Sequence, residues 1–119
     1  MTTLYDEATP HPAGHRDVRI AQVHADGGKT RTIDVREPDE YEGELGHIAG
    51  AELVPLATVL TAAEQWDKRA PLVMICRSGG RSERAAVALT NAGFSRVMNM
   101  LGGMLAWNDA KLPIERASR

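Results

Sequence analysis

Five consecutive apolar residues, Leu72 to Cys76, are the feature of this sequence that most constrains its fold. A strand without alternating polar residues is usually buried on both faces, as in a parallel sheet. A loop over 77–81 follows it, and a helical stretch over 82–92, closed by Gly93, comes next. A buried strand joined to a helix in this way predicts an α/β domain.

Shorter patterns along the chain favour the same fold class. Residues 30–35 are rich in β-branched side chains and, like residues 97–100, are expected to form a strand. Pro38 suits the first turn of a helix. The other expected elements are helices over 17–25 (with Asp17 as N-cap), 61–68 and 104–110, and a short strand within 47–53. Because strands and helices alternate, we expect right-handed crossovers and a ligand site at the carboxyl ends of the strands.

The length and charge of the chain limit its organisation and partners. The 119 residues suffice for one domain. Residues 1–14 are polar, contain two prolines and show no sustained period, which predicts a flexible N-terminal arm before a domain over 15–119. A net charge of −2 argues against a nucleic-acid partner. No apolar run approaches the roughly 20 residues of a membrane span and no secretory signal pattern is present, so no membrane partner and a cytoplasmic location are expected.

Cys76 is the single cysteine of the sequence, so thiol chemistry would have one nucleophile. Directly after it come two arginines, two glycines and the start of a helix. The glycines let the backbone fold tightly with N–H groups pointing inward, and with the helix dipole these form an anion-binding concavity. A thiol there ionises more easily than a free one. By base rate a lone cysteine is a core residue, but a core residue does not need this loop, and we interpret Cys76 as a functional thiolate.

The segment CRSGGRS, residues 76–82, resembles the active-site loop of the rhodanese superfamily. Two further segments, 33–56 and 101–113, resemble the same family in the same order and spacing, and the resemblance covers residues 16–115. It implies a three-layer rhodanese-like fold, in which helices cover both faces of a central parallel sheet of five strands.

The resemblance also implies a mechanism. The Cys76 thiolate would take the outer sulfur of a donor such as thiosulfate, hold it as a persulfide, and pass it to cyanide or a thiol. Arg77 and Arg81 would bind the anionic end of the donor. The loop residues that would hold the persulfide through their N–H groups are Arg77, Ser78, Gly79, Gly80, Arg81 and Ser82. No metal and no organic cofactor are implied.

The number of residues in the loop distinguishes sulfur transfer from the phosphate and arsenate chemistry of related proteins. Members of the superfamily that act on phosphate or arsenate have five residues between the cysteine and the arginine, whereas four residues separate Cys76 from Arg81. Two alternatives to a thiosulfate enzyme stay open. One is a relay that exchanges persulfide sulfur with protein donors or acceptors, and the other is a non-catalytic interaction module, which the retained Cys76, Arg77 and Arg81 disfavour.

The segment that precedes Pro38 contains two candidate supporting residues of the site. Asp34 and Arg36 match the DxR segment of the family. Asp34 could accept hydrogen bonds from the loop, but a structural ion-pair network is favoured because buried charges need partners.

The remaining polar residues are expected to be structural. Glu37, Glu40 and Tyr41 are assigned to the solvated face and edge of the helix that Pro38 opens. The resemblance assigns His47 to a turn. His11, His15 and His24 show no pattern of metal ligands, so metal binding is not expected there.

Overall fold

The computed structural model describes residues 2–116, so Met1 of the predicted arm and residues 117–119 of the predicted domain lie outside the described residues. Six strands form one sheet, and helices cover both of its faces. The strands are β1 (Thr9–Pro10), β2 (Arg16–Val18), β3 (Arg31–Asp34), β4 (Glu52–Leu53), β5 (Leu72–Ile75) and β6 (Val97–Met100). The helices are α1 (Leu4–Glu7), α2 (Ile20–Asp26), α3 (Pro38–Tyr41), α4 (Val59–Ala63), α5 (Gly80–Asn91) and α6 (Gly103–Asp109), and a 3₁₀ turn (Leu56–Thr58) precedes α4.

The sheet is mixed, with the strand order β1-β2-β6-β5-β3-β4. The five strands from β2 to β4 in this order run parallel, and β1 pairs antiparallel with β2 at the edge. The expected α/β fold with helices on both faces is therefore confirmed. The five expected parallel strands are present, and β1 adds a sixth, antiparallel strand at the edge, which is too short to show a period in the sequence.

The core divides into two layers about the central strand β5. All four of its residues are buried. Leu72 and Met74 pack on one face with α4 and α5, and Val73 and Ile75 pack on the other with α1, α2 and α6. Burying a side chain of this size stabilises the fold by about 1.5–3 kcal/mol relative to leaving it exposed. The carboxyl end of β5, where Cys76 follows, is thus held rigidly in the interior.

Strand register brings two predicted polar sites to one edge of the sheet. Asp34 is the last residue of β3 and pairs with Ile75, the last residue of β5. The next residue, Val35, donates its N–H to the carbonyl of Ile75 at 2.9 Å. Arg36 and Cys76 therefore leave the sheet side by side.

The amino-terminal region differs from the sequence predictions. The helix predicted over 17–25 is present as α2, but it begins at Ile20 rather than after Asp17, and residues 16–18 form strand β2. Asp17 lies inside the strand because it pairs with Asn99 of β6, a long-range contact that local sequence does not reveal. In place of a loose arm, residues 2–14 include α1 and β1, and Leu4 packs into the core beside Val18.

The predicted helix over 61–68 is also shifted. Helix α4 begins at Val59 and ends at Ala63, and single turns follow it, as in the hydrogen bond from Trp66 N–H to the Ala63 carbonyl at 3.0 Å. Val59 and Ala63 are the buried residues of α4 and fix its position by packing. Among the helices of residues 2–116, none combines the length and the apolar character that crossing a bilayer requires.

Candidate active site

Cys76 lies between β5 and α5, in the loop that the sequence singles out. The residue is 1% exposed. Gly79 has φ +107°, a left-handed conformation that favours glycine, and it lets the chain turn from the strand into α5, which begins at Gly80. The turn brings the first residues of α5 back over the sulfur.

Two donors of this turn face the sulfur. The N–H of Gly79 donates to Cys76 Sγ at 3.0 Å. The hydroxyl of Ser82, which is fully buried, lies 3.3 Å from Sγ and 3.1 Å from the Gly79 carbonyl. A thiolate is the better acceptor for both donors, so the loop is built to hold a negative sulfur.

The pKa of Cys76 reflects a balance between burial and these donors. Burial raises the pKa because it disfavours the charged form. The hydroxyl of Ser82 and the N–H groups of Ser82, Gly79 and Ser78 act in the opposite direction, and their combined effect leaves the pKa of the thiol below its ordinary value. The thiolate, which is the nucleophilic form, is therefore favoured.

The back of the loop is held by α6, a contribution that sequence reasoning missed. The N–H groups of Met104 and Leu105 donate to the carbonyls of Cys76 and Arg77, each at 2.9 Å. This close approach depends on Gly103, where a Cβ atom would lie 2.5 Å from both of those carbonyl oxygens. The glycine pair at 102–103 was a visible signal, but by itself it indicated only a turn.

A buried side chain from β6 also supports the loop. The amide of Asn99 donates to the Gly79 carbonyl at 3.3 Å and is 3% exposed. It anchors the glycine whose N–H faces the sulfur. An asparagine within an apolar strand indicates that its side chain needs a hydrogen-bond partner, but the sequence does not show which residue is that partner.

Arg81 is engaged by a carboxylate that the sequence assigned to a solvated helix face. Its guanidinium forms a two-pronged ion pair with Glu40, with distances of 2.7 and 2.8 Å. The hydrogen bonds from Arg81 lower the pKa of Glu40 to about 2. The assignment of Glu40 to a solvated face is therefore wrong, because its carboxylate pairs with Arg81 and offsets the charge of that guanidinium.

Asp34 and Arg36 form a buried ion pair beside the loop. Arg36 Nε and Nη2 donate to the two carboxylate oxygens of Asp34 at 2.9 and 2.7 Å, and the backbone N–H of Arg36 also donates to Asp34. Arg36 further donates to the carbonyls of Gly46 and Glu40. These contacts match the structural alternative of the sequence analysis, in which the pair orders the start of α3.

The loop residues on the outer side of Cys76 are exposed, and one of them borders an open cavity. Arg77, Ser78 and Gly80 are exposed. Arg77 lines a cavity of about 340 Å³. The other lining residues are Arg36, Asp39, Glu40, Gly43, Glu44 and Leu45. The carboxylates of Asp39, Glu40 and Glu44 therefore share this cavity with Arg77, and Arg36 is paired with Asp34.

Comparison with known proteins identifies the family. The sequence model described as a Rhodanese-like domain matches residues 18–110. The chain belongs to the rhodanese-like domain family.

Relatives of this rhodanese-like domain indicate its class of activity. It is 33% identical over 101 residues to the thiosulfate sulfurtransferase GlpE of Vibrio cholerae, covering 85% of this chain and 93% of the relative. It is 40% identical over 75 residues to the putative sulfur carrier protein YrkF of Bacillus subtilis, covering 63% of this chain and 40% of the relative. These relatives support sulfur transfer as the class of activity.

A solved structure supports the fold. The rhodanese-related protein of Thermoplasma volcanium has a TM-score of 0.74 and 24% identity, covering 82% of this chain and 94% of the other. The similarity extends over nearly the whole of that solved chain, in keeping with the single sheet described above.

The histidines of the rhodanese-like domain occupy three environments. The ring of His47 stacks on Tyr41 with centroids 3.6 Å apart, and its Nδ1 lies 2.9 Å from the Tyr41 carbonyl, so its contacts are those of a structural residue. His24 is exposed. His11 and His15 come together with Glu83, which follows almost 70 residues later in the sequence, so no local pattern could have revealed this group.

Proposed function

We propose that this protein is a thiosulfate-type sulfurtransferase that carries sulfur as a persulfide on Cys76. The observation that carries the proposal is the pair of donors on Sγ, the Gly79 N–H and the Ser82 hydroxyl. They stabilise the thiolate for attack, and the same inward N–H groups suit the terminal sulfur of a persulfide, which carries the negative charge after transfer.

The proposed reaction has two displacement steps. The Cys76 thiolate attacks the outer sulfur of thiosulfate, the S–S bond of the donor breaks, and sulfite leaves with the bonding electron pair. A nucleophilic acceptor, cyanide or a thiol, then attacks the outer sulfur of the persulfide. The Cys76 thiolate leaves and is regenerated, so no oxidant, metal or organic cofactor enters the balance.

Burial of Cys76 fits transfer of a single terminal atom. The residue is 1% exposed, so a donor must reach Sγ with an exposed sulfur at its tip. The four residues between Cys76 and Arg81 form a small loop around the sulfur. Its size supports sulfur rather than a phosphoryl group as the transferred species. A reducing compartment such as the cytoplasm suits a lone thiol that must return to the thiolate in each cycle.

Thiocyanate formation from thiosulfate and cyanide tests this proposal. The wild-type protein should turn over and Cys76→Ser should be inactive. Intact-mass spectrometry after incubation with thiosulfate should show a gain of one sulfur atom that cyanide reverses and that Cys76→Ser lacks. Equal thiocyanate formation by the two proteins would refute the mechanism.

The charges in the cavity beside Arg77 favour one alternative, a relay with a protein persulfide as donor. Arg81 is paired with Glu40, and the carboxylates of Asp39 and Glu44 stand at the same cavity, so a dianion meets little net positive charge. The similarity to a putative sulfur carrier protein agrees with this alternative. Faster loading of Cys76 from a cysteine desulfurase than from thiosulfate would favour the relay.

A further inference from the structure

Three metal-ligating side chains outside the active site lie together where the β1–β2 hairpin meets α5. They belong to His11 and His15, in and after the hairpin turn, and to Glu83 in the first turns of α5. One ligand atom from each lies within 4.8 Å of the others. Nε2 of His11 is 3.1 Å from Glu83 Oε1, and the two imidazole rings stack with centroids 4.3 Å apart. The sulfur-transfer chemistry uses none of them.

His15 provides independent evidence of a missing ligand. It is 1% exposed, and among the described residues neither of its ring nitrogens has a hydrogen-bond partner. A neutral imidazole carries one donor and one acceptor, and leaving both unpaired in the interior is unfavourable. The carboxylate of Asp17 comes to 3.6 Å from Nε2, which is too long for a hydrogen bond.

We propose that His11, His15 and Glu83 bind a divalent transition-metal ion, with Zn²⁺ as the best match. Two imidazoles and one carboxylate form a donor set typical of zinc, whereas Ca²⁺ and Mg²⁺ prefer oxygen ligands throughout. Ligand atoms on a tetrahedral zinc stand about 3.4 Å apart. The three ligand atoms lie within 4.8 Å of one another, so the longest of these separations must close by up to about 1.4 Å to reach that spacing. The partly exposed ring of His11 must also rotate out of its stack on His15, because stacked imidazoles cannot both direct a nitrogen lone pair at one ion.

The orientation of His15 suits this role. With Nε2 turned towards Asp17, Nδ1 of His15 is the available ligand atom, an arrangement common for metal-bound histidine.

His11 must exchange one hydrogen bond when the ion binds. Its Nδ1 accepts the N–H of Ala13 at 3.0 Å, which leaves the proton on Nε2 facing Glu83. Coordination through Nε2 moves that proton to Nδ1, and the N–H of Ala13, at an exposed turn, then bonds to water. The ion would tie the amino-terminal hairpin to the helix that presents Ser82 to Cys76.

Zinc titration by calorimetry on tag-free protein carrying Cys76→Ser, which removes the competing thiol, tests the site. One ion should bind per chain. Glu83→Gln and His11→Asn on the same background should each weaken the Kd by about tenfold or more. His24→Asn, which changes an exposed histidine outside the cluster, should bind as the parent does. Absence of binding, or binding that Glu83→Gln and His11→Asn leave unchanged, would overturn the proposal.

Thermal unfolding gives a second readout that does not depend on changing the buried His15. Zn²⁺ should raise the Tm of Cys76→Ser protein and should raise it much less once Glu83→Gln is added, while the metal-free Tm values of the two stay close. An equal rise in both would contradict the site. Neither measurement depends on sulfurtransferase activity. A failure of the zinc proposal can therefore be distinguished from a failure of the proposed function.

Discussion

The hydroxyl of Ser82 is the residue-scale feature that distinguishes the Cys76 thiol from an ordinary buried one. It lies 3.3 Å from Sγ and has no exposure to water. Burial alone would raise the pKa of Cys76, so the donors must outweigh that effect for the thiolate to form. The chemistry of the site therefore depends on single hydrogen bonds, each of which can be removed by a point substitution.

Ser82→Ala should move the pKa of Cys76 upward, because a donor to the thiolate is lost while burial remains. The rate of alkylation by iodoacetamide, followed against pH, reports the thiolate fraction, and its midpoint should shift to higher pH. Ser78→Ala is the matched control, since Ser78 is exposed and contributes through its backbone N–H, which the substitution keeps. Superimposable profiles for the wild type and Ser82→Ala would contradict this role.

Glu40→Gln should improve use of thiosulfate, because it releases Arg81 from its ion pair and removes one negative charge from the cavity beside Arg77. We expect the KM for thiosulfate to fall by roughly threefold to tenfold with a smaller change in kcat. Glu44→Gln removes the same charge from the same cavity without freeing Arg81. If the two variants lowered KM equally, release of Arg81 would not be the cause.

At the scale of elements, the loop is positioned by the start of α6 as much as by α5. Gly103 has φ +57° and sits against the carbonyls of Cys76 and Arg77. Gly27 has a similar φ of +64°, but a Cβ there would meet nothing within 4 Å. Substitution of Gly27 by alanine therefore measures the cost of backbone strain alone, whereas substitution of Gly103 adds the cost of a steric clash.

Gly27→Ala should lower the free energy of unfolding by about 1–2 kcal/mol, the cost of a left-handed alanine. Gly103→Ala should cost more, because its Cβ must also displace backbone oxygens, and it should reduce thiocyanate formation by disturbing the loop. Urea denaturation and the thiocyanate assay measure the two effects. Equal losses of stability with full activity in both variants would show that α6 does not position the loop.

The ion pair between Glu40 and Arg81 joins α3 to α5 and should make stability depend on pH. The folded-state pKa of Glu40, about 2, lies below its ordinary value. The ion pair therefore stabilises the folded protein at pH values above the ordinary pKa of a glutamate. This contribution is lost as the pH falls towards about 2. Glu40→Gln should unfold more easily than the wild type at about pH 6, and the difference should shrink by about pH 3. A difference that does not change with pH in urea denaturation would contradict the assignment.

At the scale of the whole molecule, sequence and structure agree wherever the determining contacts are local. Strands β5 and β6 were visible because their residues are continuously apolar or nearly so, and the loop after Cys76 was visible because its glycines and helix start are consecutive. The sequence misassigned β2, whose residues carry no apolar run and become a strand by pairing with β6. The Glu40–Arg81 pair spans 41 residues, a separation over which no local pattern specifies a partner.

The amino-terminal residues show the same limit and allow a test. Leu4 is 6% exposed and packs with Val18 and Val23, although the sequence around it suggested a loose arm. Leu4→Ala should lower the free energy of unfolding by about 2–3 kcal/mol, because it leaves a cavity in the layer formed by α1 and α2. Leu60→Ala is the control, since Leu60 is half exposed and its loss should cost less than about 1 kcal/mol.

Urea denaturation at neutral pH measures both variants, and thiocyanate formation should change in neither, because neither side chain contacts the loop of Cys76. A Leu4→Ala protein as stable as Leu60→Ala would mean that the hairpin and α1 lie on the sheet without contributing to the core. If Leu4→Ala is instead the less stable of the two, the amino-terminal residues are part of the domain, and the cooperative unit extends to the antiparallel strand at the edge of the sheet.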